Sequence, residues 1–294
     1  MRPGRPEDLG PLIELWHREV AAGRQDMMPN EGRLRRILSR FDWEARSRMV
    51  DDGHGRLEAA VLLMSRPSPD GVLASMYVAG PPQVAADPVR WGLRLSHAAG
   101  ADVTQTFMAR GRGEALRDAG MRSVRPWLRM DRSLAGELPR RTVVEGYDVV
   151  DGTAARPGSW ADLFNRTFAD HWRFAPRGED EVMDGKPAEL CLMAVIARDR
   201  RPVAVTLGEV EVYEDDQRPQ PVGLISSVGT LPEHRRKGLA GWLVTEVMGR
   251  LRRAGALSAS LYVDGLNATG AFDLYRSLGF EVAFEAEVWE ATHP

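Results

Sequence analysis

The sequence predicts an α/β protein, of the α+β type, that is built as two similar halves. Its 294 residues are enough for two domains, since a domain takes roughly 150 residues. Each half alternates short strand patterns with helical patterns in nearly the same order. Between them, residues 136–146 show little periodicity, which is typical of a linker. We therefore predict domains at 1–135 and 147–294, joined by this linker.

Hydrophobic periodicity places the individual elements. Helices are predicted where apolar residues recur at helical spacing, at 6–22, 34–41, 112–119, 160–168, 238–253 and 271–277. Asp87 followed by Pro88 is typical of an N-cap and a first helical position, and predicts a helix that runs through His97. The polar run 178–181 indicates the entry to one more helix. Strands are predicted between turn residues, at 56–64, 72–79, 101–108, 123–130, 147–150, 190–197, 203–212, 221–230, 257–263 and 282–290.

Composition and charge exclude several classes of protein. The net charge is −3, so we expect neither nucleic acid nor an anionic membrane as a main partner. Cys191 is the single cysteine, which excludes an intrachain disulfide and a cysteine-based zinc site, and we expect it to be buried. A reducing cytoplasm fits this count. Residues 1–8 contain no apolar signal-peptide core, and the longest apolar run, near 191–197, is too short to span a bilayer.

One segment has a pattern that is typical of a ligand-binding site. A strand rich in small residues ends at Thr230, and Arg235, Arg236, Lys237 and Gly238 then lead into the long helix. The first N–H groups of a helix lack internal partners, and the helix dipole favours negative charge there. The pattern indicates a site for a phosphate, although it is neither a Walker loop nor a Rossmann turn. The alternative is an exposed basic turn before an ordinary helix.

Two motifs give this half a resemblance to a known family. Residues 235–240, Arg-Arg-Lys-Gly-Leu-Ala, resemble the Arg/Gln-x-x-Gly-x-Gly/Ala signature of the GNAT superfamily of acyl-CoA-dependent N-acyltransferases. The later run is similar to that family's Asn…Leu-Tyr-x-x-x-Gly-Phe, with Asn267, Leu274, Tyr275, Gly279 and Phe280. The two-domain layout resembles the tandem GNAT group that includes mycothiol synthase. The resemblance implies two tandem GNAT domains, each a mixed, mostly antiparallel sheet flanked by helices.

The resemblance also implies that acetyl-CoA is the co-substrate and that no metal is needed. The pyrophosphate would rest on the backbone N–H groups of the signature, and the pantetheine arm would run along 228–230. An N–H group near Val228 would polarise the thioester carbonyl, and the Tyr275 phenol would protonate the departing thiolate. The residues implied to bind acetyl-CoA are Val228, Gly229, Thr230, Arg235, Arg236, Lys237, Gly238, Leu239, Ala240, Asn267 and Tyr275.

An amine that attacks a thioester directly must first lose a proton, so a base is needed. Glu209 and Glu211 lie two residues apart and so share one face of a strand, which makes them candidate bases. The alternative is that both are solvated charges on a strand face. Ser226 and Ser227, on the neighbouring strand, carry no carboxylate, where some relatives have an acid.

The acceptor site is expected near the end of the 160–168 helix. Phe168, Asp170, His171 and Trp172 are predicted to wall an amine pocket, with Asp170 or His171 holding a cationic substrate. The alternative is hydrophobic packing at a helix end. His234, beside the signature, is expected to be a solvent-side turn residue rather than a base.

The first half lacks the same features. Leu116 stands where Tyr275 stands in the second half, and Pro81 and Pro82 remove N–H donors where a phosphate would need them. We predict a degenerate GNAT domain that no longer catalyses, although retained CoA binding is an alternative.

The sequence therefore predicts a cytoplasmic acetyl-CoA-dependent N-acetyltransferase that acts on a primary amine of a small molecule, as a monomer or homodimer. One alternative is a protein or peptide acetyltransferase. The other is a non-catalytic acyl-CoA sensor.

Overall fold

The structure is a computed structural model that describes residues 1–27, 31–68, 71–140, 142–154, 159–215, 218–267 and 269–293. The chain divides into two compact units. Unit 1 contains Met1–Trp127, Asp264–Leu266 and Phe284–Pro294, and unit 2 contains Leu128–Val263 and Asn267–Ala283. The division thus assigns 264–266 and 284–294, which we predicted within the second domain, to unit 1, and 128–135, which we predicted within the first, to unit 2. In the predicted linker, Arg141 lies outside the described residues.

Strands and helices are interspersed along the chain. The strands are β1 (Arg2–Pro3), β2 (Ser47–Asp51), β3 (Leu57–Ser68), β4 (Gly71–Ala79), β5 (Val103–Ala109), β6 (Arg122–Ser133), β7 (Tyr147–Asp151), β8 (Cys191–Ile196), β9 (Pro202–Asp215), β10 (Arg218–Thr230), β11 (Ser258–Asp264) and β12 (Glu281–Thr292). The α-helices are α1 (Leu9–Ala21), α2 (Glu31–Ile37), α3 (Trp43–Arg46), α4 (Pro82–Ala98), α5 (Glu114–Asp118), α6 (Ser159–Phe168), α7 (Glu179–Met183), α8 (Leu239–Arg253) and α9 (Ala271–Ser277). Short 3₁₀ turns cover Pro6–Asp8, Ala188–Leu190 and Pro232–His234.

The sheet of unit 1 has the strand order β1-β2-β3-β4-β5-β12. Its pairs are antiparallel except for β4 and β5, which are parallel from Leu73 and Val103 to Ser75 and Gln105. Apolar side chains from both faces of the sheet form two buried clusters, one with α4 and one with α1. Such a two-faced core requires strands that are apolar on both sides, which β3 and β4 provide.

The sheet of unit 2 has the strand order β6-β11-β10-β9-β8-β7. Neighbouring strands from β7 to β10 are antiparallel, and β10 and β11 are parallel. The helix α8 packs closely on this sheet. A Cβ atom on Gly208 would lie 2.8 Å from Val247, and one on Gly223 would lie 2.7 Å from Leu251, so both strand positions need glycine. Both units therefore have the predicted mixed, mostly antiparallel sheet with flanking helices.

Two local predictions in unit 1 were wrong. The helix α4 begins at Pro82, not at Asp87 and Pro88, because Pro82 takes the first helical position after an extended Pro81. Asp87 lies inside the helix and pairs with Arg90 at 2.6 Å. The second error is the omission of β2 and α3. Both are short and rich in charged side chains, so neither produced a clear period. Among the described residues, none of the helices is long and apolar enough to cross a membrane.

Candidate active site in unit 2

A cavity of about 620 Å³ opens in unit 2 beside the N-terminus of α8. It lies where the ladder between β10 and β11 ends, since the last parallel pair in the described residues joins Ile225 to Leu261. The residues that line the cavity come from α6, β10, α8 and α9 and from the loops beside them. They are Thr167, Asp170, His171, Val228, Gly229, Thr230, His234, Arg235, Arg236, Gly238, Leu239, Ala240, Gly241, Thr269, Gly270, Ala271, Leu274 and Tyr275.

The loop before α8 has an unusual backbone. Arg236 has φ 62° and Gly238 has φ 86°, both in the left-handed region. Among the described residues, a Cβ atom on Gly238 would have only the Val144 side chain within 4 Å, at 3.7 Å, so backbone conformation rather than crowding favours glycine here. The first turn of α8, at Leu239 and Ala240, faces the cavity. Its N–H groups and the helix dipole therefore make this end of the cavity suited to an anion.

Glycine at position 229 has a different reason. A Cβ atom there would lie 2.8 Å from the Thr167 Cβ and 2.9 Å from the Phe168 Cε2. Gly229 thus lets β10 approach α6, and Phe168 supports the cavity wall from behind without being among its lining residues. The Phe168 ring also contacts the ring of His171, with centroids 4.7 Å apart.

The four residues predicted for the acceptor site differ in whether they line the cavity. Asp170 and His171 line the cavity, whereas Phe168 and Trp172 do not. The Asp170 carboxylate accepts two hydrogen bonds from the Arg235 guanidinium, at 2.7 and 3.0 Å. This guanidinium holds the pKa of Asp170 below its usual range. The Trp172 ring has the Arg173 guanidinium 5.8 Å from its centroid.

His234 is 9% exposed, which contradicts its expected place on the solvent side. Its Nδ1 atom lies 2.8 Å from the Tyr147 hydroxyl, and the Lys237 Nζ donates to that hydroxyl at 3.4 Å. Burial, and then the charge of Lys237, lower the pKa of His234, which favours the neutral imidazole beside the Tyr147 hydroxyl. Lys237 is thus directed to Tyr147 and is not among the lining residues. This cluster leaves no pattern in the sequence, because Tyr147 and His234 are 87 positions apart.

Tyr275 lines the cavity from α9 and is 6% exposed. Burial raises the pKa of its phenol well above the ordinary value, so the hydroxyl keeps its proton at neutral pH. Its ring meets the ring of Phe280 edge-on, with centroids 6.1 Å apart. Both rings belong to the buried core of unit 2, which packs around the ring of Tyr275.

Asn267 is not among the residues that line the cavity. Its side-chain oxygen accepts a hydrogen bond from the Thr269 N–H at 2.7 Å and another from the Thr269 hydroxyl. The side chain therefore shapes the turn that enters α9, and Thr269 rather than Asn267 faces the cavity. This is a local Asx turn.

The two candidate bases lie farther along the sheet. Glu209 and Glu211 are 4% and 6% exposed on β9, so they are not solvated charges on a strand face. They pair with Leu224 and Val222 of β10, whereas Val228 pairs with Thr206. Glu209 is three positions from Thr206, roughly 10 Å along the strand. Neither glutamate lines the cavity.

Cys191 has the buried position that the sequence predicted. Cys191 is fully buried, and burial raises the pKa of its thiol to about 11, which makes it unreactive at neutral pH. In the part of the chain that the structure describes, no group of three or more His, Cys, Asp and Glu side chains could hold a metal ion.

A mixed sheet whose parallel strands part beside a basic, glycine-containing helix N-terminus defines a GNAT-type fold. The structure is similar to that of a GCN5-related N-acetyltransferase from Sphaerobacter thermophilus, with a TM-score of 0.78 and 22% identity over 100% of this chain and 95% of that chain. It is also similar to a tandem GNAT protein from the clavulanic acid biosynthesis pathway, with a TM-score of 0.70 and 16% identity over 99% and 97% of the two chains. The predicted tandem GNAT fold is confirmed.

Parts of the chain are also similar in sequence to known proteins. Residues 208–290 match the family of FR47-like proteins. A mycothiol acetyltransferase from Kytococcus sedentarius is 30% identical over 176 residues, which is 56% of this chain and 56% of that protein. The chain thus spans little more than half the length of this curated relative. The predicted resemblance to the tandem group that includes mycothiol synthase is confirmed.

Proposed function

We propose that unit 2 transfers an acetyl group from acetyl-CoA to a primary amine of a small molecule, by direct attack in a ternary complex. The observation that carries this proposal is the cavity beside the end of β10, beyond its last pair with β11, which reaches the left-handed loop and the N-terminus of α8. The names of the similar proteins, which are acetyltransferases, support the same chemistry.

The residues of the cavity fit acetyl-CoA. A pyrophosphate needs several N–H donors and positive charge, and the turn from Arg236 to Ala240 presents both at the end of a 15-residue helix. An extended pantetheine arm needs a strand edge, and Val228 to Thr230 line the cavity beyond the last pair with β11. Asn267 does not line the cavity, so we propose that its side chain acts by shaping the turn that enters α9.

Side chains of this protein carry out the proton transfers of the proposed reaction. Acetyl-CoA supplies an activated acyl thioester. An N–H group at Val228 polarises its carbonyl oxygen, and the buried Tyr275 hydroxyl donates a proton to the departing sulfur. Because burial favours the neutral phenol, Tyr275 holds this proton over the whole neutral pH range. Glu209 or Glu211 accepts the proton of the amine, and their distance along β9 requires a water chain between them and the cavity.

Calorimetric titration tests the binding half of the proposal. We expect one acetyl-CoA site per chain in the wild type and none in Gly238→Glu, since the new carboxylate would repel the pyrophosphate and strain a left-handed position. Gly255→Glu is the matched control. Gly255 is also left-handed, with φ 94°, but lies in open space after the other end of α8. Loss of binding in both variants, or in neither, would contradict the proposal.

Thiol release from acetyl-CoA tests the transfer half. We expect a small primary amine from a panel of amino sugars, amino acids and polyamines to accelerate release, with the acetylated amine found by mass spectrometry. Acceleration only by peptides would replace the small-molecule acceptor with a protein. Tight binding without release above the rate of hydrolysis would indicate a sensor. We place the reaction in the cytoplasm, in keeping with the single buried thiol.

A further inference from the structure

The side chain of Arg235 connects three segments of unit 2. Besides its two bonds to Asp170, its Nε donates to the Thr230 carbonyl at 3.1 Å. Its Nη2 also lies 3.5 Å from the Thr167 carbonyl oxygen. One guanidinium therefore joins the end of α6, the turn that follows it and the end of β10.

The segment after Arg235 depends on such an anchor. Arg236, Lys237 and Gly238 are all exposed, and two of them have left-handed backbones. Few buried contacts hold a loop of this kind, so it opens easily unless its ends are fixed. Its N–H groups bind an anion well only while they keep one arrangement, because reordering them on binding would cost affinity.

We infer that Asp170 is a positioning residue, which fixes the 235–238 loop in its anion-binding shape through Arg235 and does not hold the amine. This inference rests on the proposed function of unit 2. It changes the role that sequence analysis expected for Asp170, because a residue beside the acceptor helix then serves the acetyl-CoA end of the cavity.

The charges at this point favour the same role. Both carboxylate oxygens of Asp170 are engaged by one guanidinium, in a bidentate geometry that is stronger than a single hydrogen bond. The pair has no net charge. A cationic amine placed against Asp170 would also meet the positive charge of Arg235 at short range, which opposes its binding.

Hydrogen exchange of the free protein tests the inference without any ligand. We compare the wild type with Asp170→Asn and follow peptides that cover 231–241. The matched control is Asp162→Asn, on the preceding helix α6, whose exposed carboxylate pairs with Arg166 at 3.4 Å. We expect exchange at 236–240 to rise about tenfold in Asp170→Asn and to stay unchanged in Asp162→Asn and in the conservative Asp170→Glu.

Titration with acetyl-CoA gives the second readout. We expect Asp170→Asn to bind about fivefold more weakly, since partly exposed ion pairs have modest energies, and Asp170→Glu to recover most of the affinity. A double-mutant cycle with Arg235→Gln should be non-additive, because the two residues act as one contact.

The outcomes separate this inference from the proposed function. Unchanged exchange and unchanged acetyl-CoA affinity in Asp170→Asn would overturn it. Faster exchange over the whole of unit 2, without selectivity for the loop, would also overturn it in favour of a general structural role. Selective loop opening in a protein that binds no acetyl-CoA would support the positioning role and overturn the proposed function instead.

Discussion

The two units share a strand order but differ where the central strand meets its helix. In unit 2, a loop with two left-handed residues separates β10 from α8. In unit 1, Gly80 is followed at once by Pro81 and Pro82, which have no N–H to offer an anion. A Cβ atom on Gly80 would lie 2.6 Å from the Glu58 carbonyl oxygen, so this glycine serves close packing on β3. The same fold thus places a cavity at one junction, where we propose a phosphate site, and close packing at the other.

The space between the parted strands differs as well. In unit 1, the Gln25 side chain is 8% exposed, and its Nε2 donates to the Val78 carbonyl of β4 at 2.7 Å. The Ala109 N–H of β5 donates to the Arg24 carbonyl at 3.3 Å. Residues 24 and 25 therefore occupy the edges of β4 and β5 beyond the last pair of these strands, and the corresponding edge of β10 borders the cavity in unit 2. We propose on this basis that unit 1, predicted as a degenerate domain that no longer catalyses, does not bind CoA either.

The largest effect is expected at Tyr275, whose counterpart in unit 1 is the fully buried Leu116. Tyr275→Phe removes the proton donor and keeps the ring that packs on Phe280. We expect the rate of thiol release to fall about 100-fold, with the affinity for acetyl-CoA unchanged. Leu116→Tyr should add no activity. If rate and affinity fall together in Tyr275→Phe, the phenol has a binding role and the proton assignment is wrong.

A second prediction brings the proline chemistry of unit 1 into unit 2. Ala240→Pro removes one N–H group from the first turn of α8, where proline can be accommodated. We expect acetyl-CoA to bind about tenfold more weakly, because a donor to a charged group is lost, with little change in melting temperature. The reciprocal Pro82→Ala should create no binding in unit 1. Full affinity in Ala240→Pro would show that the pyrophosphate does not rest on this turn.

A third prediction concerns the segment that occupies unit 1. Gln25→Ala leaves the Val78 carbonyl without its side-chain donor, so we expect the free energy of unfolding to fall by about 1–3 kcal/mol in urea titrations. Gln83→Ala, at an exposed position of α4, is the control and should change little. The stoichiometry of acetyl-CoA should stay at one per chain in both. A second acetyl-CoA site in Gln25→Ala would mean that the Gln25 side chain alone keeps unit 1 from binding acetyl-CoA.

The smallest effect is a pH dependence that both units share. Burial lowers the pKa of His234 in unit 2 and of His293 in unit 1. Below pH 6.5 the unfolded chain takes up these protons before the folded chain does, so stability is full above that pH and declines as the pH falls further. We expect His234→Gln and His293→Gln each to reduce the loss of melting temperature between pH 7.5 and pH 5. Equal losses in the wild type and both variants would exclude this contribution.

Local patterns in the sequence were sufficient to predict part of the fold and part of the candidate site. The signature at 235–240 and the Tyr275 motif lie within short segments whose spacing is itself the signal, and the structure brings both to one cavity. Contacts between distant residues left no such signal. Asp170 and Arg235 are 65 positions apart, and Tyr147 and His234 are 87 apart. Only folding brings such pairs together, so their roles had to come from the structure.

The membership of β12 in unit 1 has a consequence for biosynthesis. Residues 286–292 pair with β5, and Val288 and Trp289 are buried in that unit. Unit 1 therefore begins to emerge from the ribosome first but stays incomplete until residues beyond 283 have followed. Unit 1 is therefore synthesised first but completed last. Its strand β5 has no partner from β12 until the whole of unit 2 has been translated. A gene cut within 136–146 would separate unit 1 from its own last strand.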